Sequence, residues 1–368
     1  MLKRFSICLC VLLVLAAWGS AAAAPKNPDE AAPVVFYPPA PSPPRIQFLA
    51  KFSSAYDLSE GSSRMRDFVF GGADKEEQVI DKPYGVAIFE GAIFAVDTRG
   101  SGYVVFDMAA GKWRRVQGYG DGQMKKPINI TIDTDGTRYV TDTQRELVIV
   151  FDRNDRFVRT IGEAGQFKPV DVAVYKEHLY VTDIAHQKIH VLDKLTGQPM
   201  FTFGEPGSDP GKMAHPTNLA LGPDGTVYLS DMTNFRVQHF TPEGEFIRQL
   251  GSVGTGYGQF ARPKGVAVDR EGRIYVADAA FQNVQLFDDD GAVLMFFGGP
   301  GDGPGSMYLP TAVKIDYDNV GLFRKYAAPG FEIEYLILVA NQFGQNKVAV
   351  YGFGAMTADP GDAIEGER

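Results

Sequence analysis

Asn129, Asp171 and Asn218 hold one position in three successive stretches of the sequence, two residues after Pro127, Pro169 and Pro216. One carboxylate and two amide oxygens on a common axis are the donors that Ca2+ or another hard cation takes. Only one of the three is charged, and the matching positions elsewhere are Gly85, Gly265 and Ala312. A water-filled polar channel is therefore favoured over a cation centre. A second set, Asp97, Asp142, Asp183, Asp231 and Asp278, closes the runs "IFAVD", "RYVTD", "LYVTD", "VYLSD" and "IYVAD". One acid per unit at a constant turn position reads as a cap on local backbone amides, not as a metal cluster. The five histidines are His178, His186, His190, His215 and His239. His186 and His190 are four apart but span a loop and a strand, and His239 is mid-strand. His215 stands where other units carry Lys126, Lys168 and Arg262, which argues for a surface or packing role. No nucleophile elbow occurs. The residue types thus point away from an enzyme, with no catalytic residue assigned and no metal site beyond the channel candidate.

The elements that must position these residues form a repeat. "KPYGVAIF", "KPINITID", "KPVDVAVY", "HPTNLALG", "RPKGVAVD" and "LPTAVKID" begin units whose prolines, Pro83, Pro127, Pro169, Pro216, Pro263 and Pro310, lie 42 to 47 residues apart. Each unit continues with a strand ending in Asp (Asn341 in the sixth), a third such as "VQLFD", and a fourth ending in Gly, such as "LMFFG". Turn sequences such as "GPDG", "TPEG" and "DDDG" join them into four antiparallel strands. A sheet apolar on both faces cannot bury itself; packing six of them radially buries both faces. The expected fold is all-β, a six-bladed β-propeller of four-stranded antiparallel blades. The sixth unit lacks its fourth strand. Residues 45–54, "RIQFLAKFSS", are favoured to supply it and close the ring by pairing the N- and C-terminal segments. Residues 64–72, "RMRDFVFGG", are the competing assignment, and would otherwise form a rim turn or short helix.

In this fold the Gly-rich loops "GEPGSDPGKMAH", "GSVGTGYGQFAR" and "GGPGDGPGSMYL" share a face with the turns between second and third strands. They lack the Lys-Ser/Thr and following helix of a phosphate loop, so tight turns at positive φ are expected. Phe235, Phe281 and Phe343 occupy similar places in those turns. With Arg236 and Tyr257 they form the candidate binding face, since aromatics and Arg anchor interfaces; folding down between blades is the competing reading for each Phe. The long insertion at 317–335, with Phe323, Arg324, Lys325, Tyr326 and Phe331, is a second docking candidate on the opposite face.

Composition bounds the partners. The 368 residues carry a net charge of −9, which disfavours nucleic acid and anionic membranes. Residues 1–24 read as a secretory signal peptide. Its removal takes both cysteines, Cys8 and Cys10, and Lys3 and Arg4, leaving 34 basic against 45 acidic residues, or −11. No membrane span is expected after that cleavage. The expected layout is signal peptide 1–24, Pro-rich linker 25–44, propeller 45–354 and flexible tail 355–368.

The pattern Pro-x-G-V-A-V, Y-V-A-D, V-Q-L-F-D and G-x-G-x-G-Q-F resembles the NHL repeat over about residues 82–354. The ending "EYLILVANQFGQNKVAVYGFG" is similar to secreted NHL propellers of metal-respiring bacteria, some encoded near multihaem cytochromes. The resemblance implies a six-bladed propeller used for binding and no single reaction. Propellers of gluconolactonase type hold a central cation, and those of amidoglycolate-lyase type a zinc ion on several histidines. The expectation is a secreted or periplasmic, monomeric scaffold for a protein or peptide partner, with extracellular cytochromes one class of partner the resemblance suggests. A cation-dependent lactonase or lyase and a carbohydrate-binding module are the alternatives.

Overall fold

The computed structural model describes residues 34–58 and 78–357. Six antiparallel sheets begin with the strands Pro83–Phe89, Pro127–Ile132, Pro169–Tyr175, Pro216–Leu221, Pro263–Val268 and Pro310–Asp316. These innermost strands contact one another in cyclic order, the sixth against the first. The chain is a six-bladed β-propeller, and the sheets are blades around a channel.

The burial pattern of each strand follows from its radius. In the fifth blade Ile274–Asp278 is buried at every position, because a middle strand is covered by a blade on either side. Its outer strand Val293–Gly298 alternates between covered and exposed positions, as a strand with one wet face must. The core lies between blades rather than within them. Tyr180, Ile189 and Val191 of the third blade pack on Leu219, Val227 and Leu229 of the fourth, for instance.

The Gly ending the outer strands has a steric cause. Gly251 sits at φ +90°, and a Cβ there would lie 2.3 Å from the ring of Phe260, which is fully buried beneath the loop. Gly298 repeats this at φ +84° against Met307, where a Cβ would lie 2.6 Å from the side chain. A buried plug under each loop needs a residue that is both left-handed and without a side chain.

The sixth blade closes the ring as expected. Its strands Pro310–Asp316, Phe331–Asn341 and Val348–Met356 are joined by Ile46–Phe52, with Ile46 opposite Phe353 and Phe52 opposite Val348. The competing segment 64–72 lies outside the described residues, as do the expected signal peptide and the tail from residue 358. The region expected as a plain linker departs from that reading. Phe36–Tyr37 adds a fifth strand to this blade by pairing with Ile46 and Gln47. The Tyr37 hydroxyl donates to the Gly305 carbonyl at 3.1 Å, and the Phe36 ring lies 5.4 Å from that of Phe331.

The insertion at 317–335 packs down rather than projecting. Its helix Val320–Phe323, α1, buries Phe323 against Phe52. Gln47 donates to the Tyr326 carbonyl at 3.0 Å and accepts from the Ala328 amide at 2.9 Å. Asn319 accepts from the Gly91 amide of the first blade at 2.8 Å. These bonds make it a clasp across the junction of the sixth and first blades. Among the described residues no helix is long and apolar enough to cross a membrane.

Candidate functional site

The recurring Asp residues are buried clamps on one face of the ring. Asp278 accepts from the amides of Ala261 and Arg262 ahead of the inner strand, and from those of Ala280 and Phe281 in the turn beyond. Asp142 does the same with Lys125, Lys126, Gln144 and Arg145. Burial alone would raise the Asp97 carboxyl. The amides of Asp81, Lys82 and Gly100 and the Arg115 guanidinium outweigh it and hold Asp97 below the usual range. In the sixth blade Asn341 accepts from the Tyr308 amide instead.

Each clamp grips the residue before the repeat proline. The Asp takes that residue's amide. Its carbonyl accepts from the residue after the Asp, as in Thr143 to Lys126, Ile184 to Lys168, Met232 to His215 and Ala279 to Arg262. The gripped residues are mostly basic, so the clamps fix a ring of cations at the channel mouth. Lys126, Lys168, His215 and Arg262 line a cavity of about 290 Å³ there, with Lys264 and Tyr84 from the inner strands. Among the described residues no acidic residue lines it. Among the described residues the side-chain charges of Lys126, Lys168, Arg262 and Lys264 meet no carboxylate in an ion pair.

The electrostatics record the crowding. Lys264 is 6% exposed and its ammonium lies 5.1 Å from the Tyr84 ring centroid. Burial, with Arg262 and Lys82 nearby, pushes its pKa down to about 8. Burial also lowers the His215 imidazole; Lys264 and Arg262 add to this, against Asp231. Tyr84 reaches across from the first blade to the fourth, its hydroxyl 3.5 Å from Asn218 Oδ1. It forms the floor of the mouth.

Of the channel residues, Asp171 and Asn129 commit side-chain oxygens to the backbone, while Asn218 meets the Tyr84 hydroxyl. Asp171 is buried; its two oxygens accept from the amides of Val172 at 2.8 Å and Leu219 at 3.0 Å. Burial pushes its carboxyl up to about 6, against the pull of Lys314 and these amides. Asn129 Oδ1 accepts from the Ile130 amide at 3.0 Å, and its Nδ2, a donor, has no partner among the described residues. A donor and two engaged carboxylate oxygens are a poor cage for a cation. Among the described residues no group of three or more His, Cys, Asp or Glu is arranged to hold a metal. His186 and His190 both point at one Asp183 oxygen, at 2.7 and 3.0 Å.

The five residues read as a binding face are not brought together. Arg236 is 4% exposed, its guanidinium spent on Asp231, Gln249 and the carbonyls of Ser208, Asp209 and Lys212. It holds a loop and offers no surface. Phe235 is the left-handed turn residue at φ 54°, the place Gln282 takes in the next blade, whereas Phe281 lies one residue earlier. The offset scatters the row. Phe235 and Phe281 are half-buried. Phe343 is half-buried too, edge-on to Tyr308 at 5.9 Å. Tyr257 is exposed (79%) and stacks at 5.9 Å on Phe296, a residue of the outer strand that the sequence did not single out. The sequence also left the basic mouth unassigned. Its signal is a Lys, Arg or His before five of six prolines, a pattern that by itself fits a surface or packing role equally well.

The comparisons agree on architecture. The NHL repeat model matches residues 260–285. Peptidylglycine alpha-amidating monooxygenase of Rattus norvegicus is 29% identical over 116 residues, which is 29% of this chain and 12% of that protein. A probable peptidyl-alpha-hydroxyglycine alpha-amidating lyase of Caenorhabditis elegans is 23% identical over 110 residues, 28% of this chain and 31% of that protein. The aligned part thus spans less than a third of these relatives. Among solved structures, a gluconolactonase from Xanthomonas campestris matches at TM-score 0.55 and 14% identity over 88% of this chain and 98% of that one. A virginiamycin B lyase from Staphylococcus aureus matches at TM-score 0.51 and 14% identity over 73% of this chain and 80% of that one. At such identity the structural likeness is one of fold.

Proposed function

We propose that this six-bladed NHL-repeat propeller is an exported, non-catalytic scaffold that takes a protein or peptide partner on the face of its Gly-rich loops. The observation that carries the reading is the contrast between channel and rim. The channel's carboxylate, Asp171, and the Asn129 side-chain oxygen are tied to backbone amides. The rim instead presents the Tyr257–Phe296 stack, with Val253 63% and Leu294 51% exposed beside it in sequence. Exposed aromatics on a loop and the adjoining outer strand of a rigid ring are what an interface uses. The signal-like segment 1–24 supports export to the periplasm or beyond.

A second reading, a metal-dependent lyase or lactonase, draws on the partial likeness to the amidating lyases. It requires a metal that Asp171, with both oxygens engaged, would have to release amides to hold.

The test is capture of partners by the tagged mature chain in its own host, beside a Tyr257→Ser/Phe296→Ser variant. The expected outcome is a dominant partner retained by the parent and lost by the variant, with both chains melting alike. Equal retention by both would remove the rim from the reading. Stoichiometric bound metal, with melting lowered by chelation, would favour the enzyme.

A further inference from the structure

We propose that the channel mouth is a binding site for clustered carboxylates, and that its occupant is an acidic peptide segment of the partner. The occupant rests on the scaffold reading; the carboxylate chemistry does not. Three features of the mouth carry the inference.

The first is the sign of the charge. Lys126, Lys168, Arg262 and Lys264 converge on a cavity that no acidic residue lines among the described residues, in a chain of net charge −9. Cations gathered against their mutual repulsion, with no carboxylate paired to their side chains, leave that neutralisation to a ligand.

The second is the donor type. The backbone amides of Lys126, Lys168, His215 and Arg262 are consumed by Asp142, Asp183, Asp231 and Asp278. Phosphate sites draw on free backbone amides at helix ends or nests. Here the donors that remain are side-chain groups, the ammonium and guanidinium groups and the His215 imidazole.

The third is spacing. The cations come from the second, third and fifth blades, with His215 from the fourth between them. An arc over four blades suits several carboxylates carried on one flexible chain better than one compact anion. The cavity, about 290 Å³, has room for about ten waters, enough for the ends of a few acidic side chains.

The experiment uses the full chain without its signal segment and a fluorescent peptide of six alternating Asp and Glu, read by anisotropy. Citrate and pyrophosphate are competitors. The expected result is saturable binding that weakens at least about tenfold between 50 and 300 mM NaCl, and at least about tenfold again in Lys168→Gln/Arg262→Gln. Both residues are exposed, so that variant is expected to melt no lower than the parent, and slightly higher as the repulsion on Lys264 is relieved. Lys112→Gln, on the outer strand of the first blade, is expected to bind as the parent does. No saturable binding, or binding unchanged in Lys168→Gln/Arg262→Gln, would overturn the site. Citrate held as tightly as the peptide would overturn the peptide as occupant, and pyrophosphate held more tightly than either would overturn carboxylates. Because the probe is synthetic, this result is independent of whether the aromatic rim captures a partner.

Discussion

Lys264 is where the cost of the mouth is concentrated. An ammonium 6% exposed, with Arg262 and Lys82 as its charged neighbours, is strained electrostatically. Its pKa falls from 10.5 to about 8, so the unfolded chain binds that proton more tightly than the folded one. The sign follows from linkage. The penalty is present in full below about pH 8 and is relieved as the pH rises from about 8 to 10.5. A move of that size corresponds to about 3 kcal/mol, of which the contact with the Tyr84 ring returns about 1. Lys264→Met is therefore expected to stabilise the fold by about 2 kcal/mol at pH 7. For a propeller of this size that is a rise of about 3 °C in melting temperature, shrinking towards pH 10. Melting of parent and variant across this range checks it. A variant less stable at pH 7, or a gain unchanged at pH 10, would show that the mouth carries no such strain. Stability given up at a cluster of like charges is the usual mark of a site kept for binding.

At the scale of the element, the clamp joins fold to site. Asp278 fastens the loop before the inner strand to the turn after the second, and so places Arg262. Asp278→Ala would leave four amides without their acceptor. Partly open to water at the loop surface, they are expected to cost about 3 kcal/mol together. Asp278→Asn, the residue type that the sixth blade carries at Asn341, is expected to recover about half. Thermal melting of the two variants gives the order; an alanine variant as stable as the parent would reduce the clamp to a coincidence of spacing. The clamps were legible in the sequence because one Asp per unit at one turn position has few other uses. The aromatic row was not. Phe235 and Phe281 look equivalent in sequence, yet the strand register sets them one residue apart, and a single residue in a tight turn redirects a side chain. Phe36–Tyr37 was missed for another reason. Two residues in a Pro-rich run carry no alternation, and only the ring edge they meet makes them a strand. The mouth lay between these cases, since its basic residues recur visibly but their convergence depends on the ring.

The whole molecule is held by a bond between its ends. Five blades are made of consecutive chain; the sixth borrows Ile46–Phe52, almost 300 residues from its partner strand Val348–Met356. Loop-closure entropy makes such a contact slow to form, and once formed it holds the sixth blade complete against the first, covering the faces an open ring would expose. Gln47 and Phe52 also anchor the insertion that clasps the sixth blade to the first. The cation arc at the mouth takes its members from the second to fifth blades, and Tyr84 reaches it from the first, so its curvature depends on the ring that holds those blades. The closing strand is expected to support the site through that ring. Phe52 is 1% exposed and packs on Phe106 of the first blade and Phe323 of α1 at ring distances of 5.7 and 6.3 Å. Phe52→Ala is expected to cost about 3–5 kcal/mol. If closure couples the blades, all six lose amide-exchange protection together, in a single transition at a lower midpoint. Hydrogen exchange followed blade by blade decides this. Early loss confined to the sixth blade would mean that the remaining five stand as an open stack, and that the mouth outlives the closure on which we have made it depend.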